Sequence, residues 1–466
     1  MLFSSIPFLF YFLPAVISLY FIAPKKLKNA VLFLFSLFFY AWGEPKNVIF
    51  MLAAILLGYV CGLLMERAEK PGEKKLWLIL SIVGCLGMLG YFKYAGFLVQ
   101  TVKEVSGWPL NVPQIALPIG ISFYTFQILS YDIDVYRKQV PAQRNLLDLA
   151  TYVALFPQLI AGPIVRYSDV NEQLRNRKLS LDKLSYGVGR FLIGLSKKVL
   201  LANQLGEIGN LFRQAAEPSV AYYWLYAIAA TLHIYFDFSG YSDMAIGLGK
   251  VFGFDFPENF NYPYISSSIT EFWRRWHISL GSWFRDYVYI PLGGNRVGKL
   301  KWFRNILIVW VLTGFWHGAA WNFAIWGLWF AALLVIEKSG FLKVLERHKI
   351  VSHIYVLFFV ILSFLIFNAD SLGQIGQDFA ALFGFGQLPL FSREFLYQLR
   401  NYAVILLLGG AFSTPYPKLL VKKLREKRIP GEIISWLEPI VYLLLLVLVT
   451  AYLVDGSFNP FLYFRF

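Results

Sequence analysis

Residues 306 to 337 read ILIVWVLTGFWHGAAWNFAIWGLWFAALLVIE. Nothing in these 32 residues before the final glutamate carries a charge at neutral pH except, conditionally, His317. As one helix they would be about 48 Å long at 1.5 Å per residue, against a hydrocarbon core of about 30 Å. A single crossing would need a tilt of roughly 50°, beyond the usual range of about 0–40°. Basic residues flank the segment on both sides, Arg304 before it and Lys338 after it. Both ends therefore read as lying on one face of a membrane, and the chain must enter and turn back, or cross twice. Broken backbone at membrane depth survives only inside protein or beside a water-filled cavity. His317 sits near the midpoint and is placed at the turn.

The rest of the chain supports a bilayer environment. Hydrophobic residues make up 58% of the sequence and aromatics 18%, which a soluble domain cannot hide but a bilayer requires. Apolar stretches recur from residue 6 to residue 453, so the reading is an all-α polytopic membrane protein with ten to twelve crossings. Ile6–Ala23 reads as a retained first span, with no basic residue before it and no cleavage motif after it. The excess of 43 Lys and Arg over 28 Asp and Glu suggests nucleic acid at first sight. The basic residues gather in short loops beside apolar spans, however, as the positive-inside rule expects, and no nucleic-acid partner is expected. Lys25, Lys26 and Lys28, then Arg67, Lys70, Lys74 and Lys75, mark cytoplasmic loops, which puts the N-terminus outside. Carried forward, the rule places Arg137–Arg144, Arg166–Lys183, Arg296–Arg304, Lys338–Lys349 and Lys418–Arg428 inside and the C-terminal tail outside.

A second apolar segment, Leu149–Val165, also lies between loops assigned inside, and Pro157, Gly162 and Pro163 interrupt it. Residues 187 to 205 are apolar yet hold Lys197 and Lys198, so they cross with the lysines turned inward or lie along the interface as an amphipathic helix. No internal repeat is visible, which counts against repeat-built transporter folds. Cys61 and Cys85 both fall in apolar stretches and suggest neither disulfide nor metal site.

Residues 233 to 295 form a polar island. HIYFDFSGYSDMAIGLG (233–249) mixes aromatics with Asp237, Ser239, Ser242 and Asp243. Further on, helical spacing puts Trp273, Trp276 and Leu280 on one face and Arg274, Arg275 and Arg285 elsewhere. An interfacial helix accounts for the tryptophans and arginines, but less well for His277, which falls among the tryptophans. His317 is the sharper case, because ionisable residues inside a membrane are costly and suggest function. The competing explanation is a buried histidine bonded to a neighbouring helix. His233, His348 and His353 lie before the island or beside a basic loop. No His, Cys or carboxylate cluster has metal-ligand spacing, and neither a nucleophile elbow nor a phosphate loop is present. Burial keeps an imidazole neutral near pH 7 and able to accept a proton. That suits general-base help to a hydroxyl attacking a carbonyl, typically worth about 10²–10⁴ in rate.

NFNYPYISSSITEFWRRWHISLGSWFRDYVYIPLGGN (259–295) and GFWHGAAWNFAIWG (314–327) resemble the membrane-bound O-acyltransferase family. Within it, the likeness is to the alginate O-acetyltransferase branch, which YFDFSGYSDMAIG (235–247) and FNPFLYFRF (458–466) share. The resemblance implies one integral-membrane domain over residues 1–466, a ring of helices around a thin core, with re-entrant and interfacial helices. It has N-terminal spans (1–232), a catalytic core region (233–337) and C-terminal spans (338–466). It implies His317 as the active-site histidine and His277 as the family's second, upstream histidine.

It also implies acetyl transfer in the cell membrane from a cytoplasmic thioester, acetyl-coenzyme A or an acylated carrier protein. The acceptor is a hydroxyl of an extracellular or periplasmic polysaccharide, reached through a secreted or anchored serine-hydrolase-like partner. No permanently bound cofactor or metal is expected. On this reading His317 is the general base, and His277 orients the acceptor or stabilises the oxyanion. Asn322 and Trp316 are further orienting or oxyanion candidates. Arg296, Lys299, Lys301 and Arg304 are candidates for attracting the donor's phosphates. D-alanyl transfer to teichoic acid is the alternative within the class; a transporter or an export-complex subunit lies outside it.

Overall fold

A computed structural model describes residues 1–385 and 387–456. The FNPFLYFRF motif at 458–466 lies outside the described residues. Among the described residues the regular structure is helical throughout, with short 3₁₀ and π turns and no strand, as an all-α membrane protein requires. Among the described residues five helices are long and apolar enough to cross a membrane: Pro45–Arg67, Pro71–Ser106, Lys349–Asn368, Arg393–Phe412 and Arg428–Val454. The chain divides into two compact units.

The first unit comprises Met1–Phe191, Met244–Glu258 and Arg285–Tyr287. Helices α1 (Val48–Arg67), α2 (Pro71–Leu89) and α3 (Ile121–Tyr136) pack on one another there. Small residues set their spacing. A methyl group added at Gly58, Gly62 or Gly84 would stand 2.6 Å from Ile128, 2.7 Å from the Tyr131 hydroxyl or 2.4 Å from Leu57. Helix α3 is buried on nearly every side, and two of its carboxylates are bonded within the protein. Asp132 accepts from the Ser81 hydroxyl, and Asp134 from the Tyr287 hydroxyl at 2.9 Å.

The Leu149–Val165 segment is broken, as expected, and every residue of it is buried. Helix α4 (Leu146–Ala154) stops, and a single turn, Phe156–Leu159, follows with Pro157 near its start. Side chains bond the freed backbone groups. Ser36 Oγ receives the Phe156 N–H at 3.0 Å, and the Tyr152 hydroxyl donates to the Val165 carbonyl at 2.9 Å. This is how interrupted backbone persists away from water.

The second unit comprises Leu192–Asp243, Asn259–Phe284 and Val288–Phe466. Helix α5 (Leu181–Ser196) runs into it and passes through a π turn, Lys197–Ala202, into α6 (Asn203–Arg213). The two lysines of that turn point inward. Lys198 pairs with Asp237 at 2.6 Å with both side chains almost fully buried, and Lys197 pairs with Asp243 at 2.6 Å. Both aspartates lie on α7 (Val220–Val251). Gly240 allows α7 to lie against the preceding segment, since a Cβ there would stand 2.8 Å from the Gly194 carbonyl.

Two short helices follow, α8 (Ile269–Arg275) and α9 (Ile278–Phe284). The single interfacial helix expected across Trp273–Leu280 is therefore broken, and the break is His277, whose φ is +43°. Then comes the hairpin of α10 (Lys299–His317) and α11 (Trp321–Ile336). The excess length of the opening sequence is thus resolved as a turn-back with Gly318-Ala-Ala at its tip. The two helices touch backbone to backbone, because a Cβ at Gly314 would stand 2.2 Å from the Phe323 carbonyl and one at Gly327 2.3 Å from that of Trp310.

Helices α12 (Lys349–Asn368), α13 (Arg393–Phe412), α14 (Tyr416–Arg425) and α15 (Arg428–Val454) complete the unit. The dense basic stretch at Lys418–Arg428 is mostly helical and exposed rather than an irregular loop. One buried cluster joins α6, α7, α8, α11 and α12 through residues such as Phe236, Phe272, Trp326, Phe330 and Val360.

Candidate active site

The site is built from three breaks in helix. Ser268 caps the start of α8 by accepting the Glu271 N–H at 3.0 Å, and Glu271 in turn accepts the Ser267 N–H at 2.8 Å. This is close to the reciprocal pattern by which a Ser and a later Glu satisfy the free donors of a helix start. Glu337, fully buried at the end of α11, adds a second acceptor for the same end. Its carboxylate takes the N–H groups of Ile269 (2.5 Å) and Thr270 (2.9 Å) and the Thr270 hydroxyl (2.7 Å). Helix α8 is thereby tied to the hairpin that carries His317.

At the other end of α8 the chain turns sharply. The Asn261 N–H donates to the Arg275 carbonyl at 2.9 Å and the Ile278 N–H to the Asn259 carbonyl at 3.0 Å. Held between these bonds, His277 takes a left-handed backbone conformation, rare for a residue with a Cβ and costing roughly 1–3 kcal/mol. Such strain concentrates where a side chain must be aimed. The ring is fully buried. Burial, together with the neighbouring His317 ring, holds it well below the usual histidine range, so the neutral form prevails at pH 7.

His317 is the last residue of α10 and is also buried. Its ring centroid lies 6.3 Å from that of His277. Trp316 flanks both rings, at 5.0 Å from His317 and 5.7 Å from His277. Phe238 of α7 meets His277 edge-on at 4.6 Å, and Trp326 and Phe367 meet His317 edge-on at 5.1 and 5.3 Å. Each ring nitrogen lies about 1 Å from its centroid, so 6.3 Å is too long for a direct imidazole–imidazole hydrogen bond.

The structure therefore brings together His277, His317 and Trp316. Asn322 serves elsewhere: its amide donates to the Phe367 carbonyl at 3.1 Å, pinning the start of α11 to the end of α12. Arg296, Lys299, Lys301 and Arg304 are exposed. The last three lie on α10 thirteen to eighteen residues before His317, which is about 20–27 Å along the helix. Phe238, Asn259, Trp326 and Phe367 line the site without having been singled out from the sequence. Asn259 had a readable signal, as the only side-chain amide besides Asn261 in an aromatic run. Among the described residues no three His, Cys, Asp or Glu side chains are grouped to hold a metal ion.

The family model for membrane-bound O-acyltransferases matches residues 125–373, which include both histidines and most of the elements just described. The chain belongs to this family. A membrane-bound O-acyltransferase moves an acyl group onto a hydroxyl, and two buried imidazoles in an aromatic cage suit that chemistry. Among relatives of this acyltransferase, a probable alginate O-acetylase of Pseudomonas putida is 41% identical over the whole of both chains. A peptidoglycan O-acetyltransferase of Helicobacter pylori is 31% identical over all of this chain and 98% of its own. A teichoic acid D-alanyltransferase of Bacillus subtilis is 29% identical over 56% of this chain and 72% of its own.

Proposed function

We propose that this acyltransferase acetylates hydroxyl groups of a polysaccharide outside the cytoplasm, drawing the acetyl group from a cytoplasmic thioester. The observation that carries the reading is the buried pair His277 and His317, whose ring centroids lie 6.3 Å apart. The whole-length likeness to an alginate O-acetylase and a peptidoglycan O-acetyltransferase supports acetyl as the group transferred and a polysaccharide as the acceptor.

His317 is the general base. It takes the proton from the acceptor hydroxyl as that oxygen bonds to the thioester carbonyl carbon. The carbonyl oxygen then carries the negative charge, and buried indole N–H groups, those of Trp316 and Trp326 among them, supply donors in a setting with little competing water. As the intermediate collapses, the carbon–sulfur bond breaks, and the proton on His317 passes to the departing thiolate. His277 holds the acceptor. Alignment of two bound reactants in a closed site supplies much of the remaining rate.

The exposed bases at the start of α10 attract an anionic donor such as acetyl-coenzyme A on the cytoplasmic side. A secreted or anchored serine-hydrolase-like protein relays the acetyl group to the glycan, and the N-terminus and C-terminal tail lie outside the cell. D-alanyl transfer from a carrier protein is the second reading, favoured by the partial likeness to a teichoic acid D-alanyltransferase. Mass spectrometry of surface polysaccharides from a strain lacking this chain separates them. Loss of O-acetyl groups supports the first reading, and loss of D-alanyl esters with O-acetyl groups intact overturns it.

A further inference from the structure

Asn259 is fully buried, and both ends of its amide are engaged. Its Nδ2 donates to Ser242 Oγ at 3.0 Å. Its Oδ1 accepts the backbone N–H of Ser279 at 3.2 Å and the Ser279 hydroxyl at 2.9 Å. A backbone N–H can only donate, so the atom turned towards it is the amide oxygen and not the nitrogen. That same oxygen lies 3.2 Å from His277 Nδ1. An amide oxygen can only accept, so Nδ1 carries the ring's proton. In a neutral imidazole the other nitrogen, Nε2, then presents a lone pair. His277 Nε2 is buried and has no hydrogen-bond partner among the described residues.

We infer that Asn259 is a positioning residue that sets the tautomer of His277, so that Nε2 acts as a hydrogen-bond acceptor for a hydroxyl of the acyl acceptor. The inference rests on the acyl-transfer reading above and decides between the two roles open to His277. A neutral ring protonated on Nδ1 has no proton at Nε2 to offer an oxyanion. It can hold an O–H. An acceptor with a second O–H beside the reacting one gives the first to His317 for deprotonation and the second to His277 for alignment. The left-handed turn at His277 fits this assignment, because the bonds of Asn261 and Ile278 that create it also bring Nδ1 onto Asn259. Ser279, two residues on, fixes the amide from the same strand of chain.

The chain has five histidines, so protein labelled with ¹⁵N-histidine gives few enough signals to assign, with a His277→Gln variant identifying those of His277. The full-length protein in lipid is expected to show His277 protonated on Nδ1 and bare on Nε2. Asn259→Ala, if folded, is expected to lose that preference and to slow acetyl transfer by somewhere between about tenfold and 10⁴-fold, the range seen when a histidine's orienting partner is removed. A proton on Nε2 in the unaltered protein overturns the inference, and this readout needs no variant beyond the one used for assignment. Unchanged transfer by folded Asn259→Ala overturns it as well. Either result leaves acyl transfer by His317 standing, whereas transfer that survives His317→Ala removes that reading without altering the tautomer.

Discussion

The ring centroids of His277 and His317 lie 6.3 Å apart with their planes inclined at 63°, although the residues are forty positions apart in the sequence. A helix break at one and a helix end at the other bring the two buried rings together. If they serve one reacting complex, their contributions overlap. His277→Ala should lower transfer by about 10²-fold or more, and adding it to His317→Ala should cost little beyond the single change, as in other catalytic groups acting as a unit. Independent, multiplying losses in a double-mutant cycle of initial rates would show that the rings act separately.

The α10–α11 hairpin depends on two glycines. Gly327→Ala puts a methyl 2.3 Å from the Trp310 carbonyl, and the helices must part. Overpacking of this kind typically costs about 1–3 kcal/mol, and here it also moves His317. Gly410 on α13 has open space at its Cβ. Gly410→Ala should therefore be neutral or stabilising by up to about 1 kcal/mol, as expected for alanine in a helix. Thermal unfolding in detergent measures both; equal behaviour of the two variants contradicts the packing argument.

Lys198 and Asp237 form an ion pair with side-chain exposures of 2% and 1%. Removing one partner strands a buried charge, which costs roughly 3–5 kcal/mol, while replacing both with apolar residues of similar size is often close to neutral. Asp237→Leu should unfold at markedly lower temperature, and Lys198→Met with Asp237→Leu should recover most of the loss. Failure of the double variant to recover would point to a role beyond pairing.

Glu271 gives the capping region a defined acid response. Burial acts to raise its pKa, but the Ser267 N–H and hydroxyl and Arg275 outweigh burial and hold it below the usual carboxylate value. A depressed folded value means that its stabilisation is present above the unfolded pKa of about 4.3 and is lost as pH falls through the lower folded value. Unfolding temperature should thus drop below about pH 4, and Glu271→Gln should flatten part of that drop. An identical acid limb in the variant contradicts the assignment.

Much of this was legible from residue order. The hairpin at His317 followed from a segment too long for one crossing with like-charged ends, and the broken Leu149–Val165 segment from its prolines and glycine. The inward turn of Lys197 and Lys198 was one of two expected outcomes, and Asp237 and Asp243, already conspicuous in the polar island, are the partners that decide it. What residue order did not reveal are contacts between elements distant along the chain. Glu337 looked like the polar end of a span and is the cap of α8. Asn322 looked like a site residue because it is near His317 in sequence, yet helical geometry turns its amide to the end of α12. The single helix expected through His277 is broken because the 259–261 segment bonds the backbone on both sides of it, which no local periodicity encodes.

The most direct test replaces His317 by Ala and follows transfer of a labelled acetyl group from acetyl-coenzyme A in proteoliposomes, with insertion and unfolding temperature checked in parallel. Transfer should fall by about 10²-fold or more while the protein remains inserted and folded. Transfer at the unaltered rate from a folded His317→Ala protein would contradict the account.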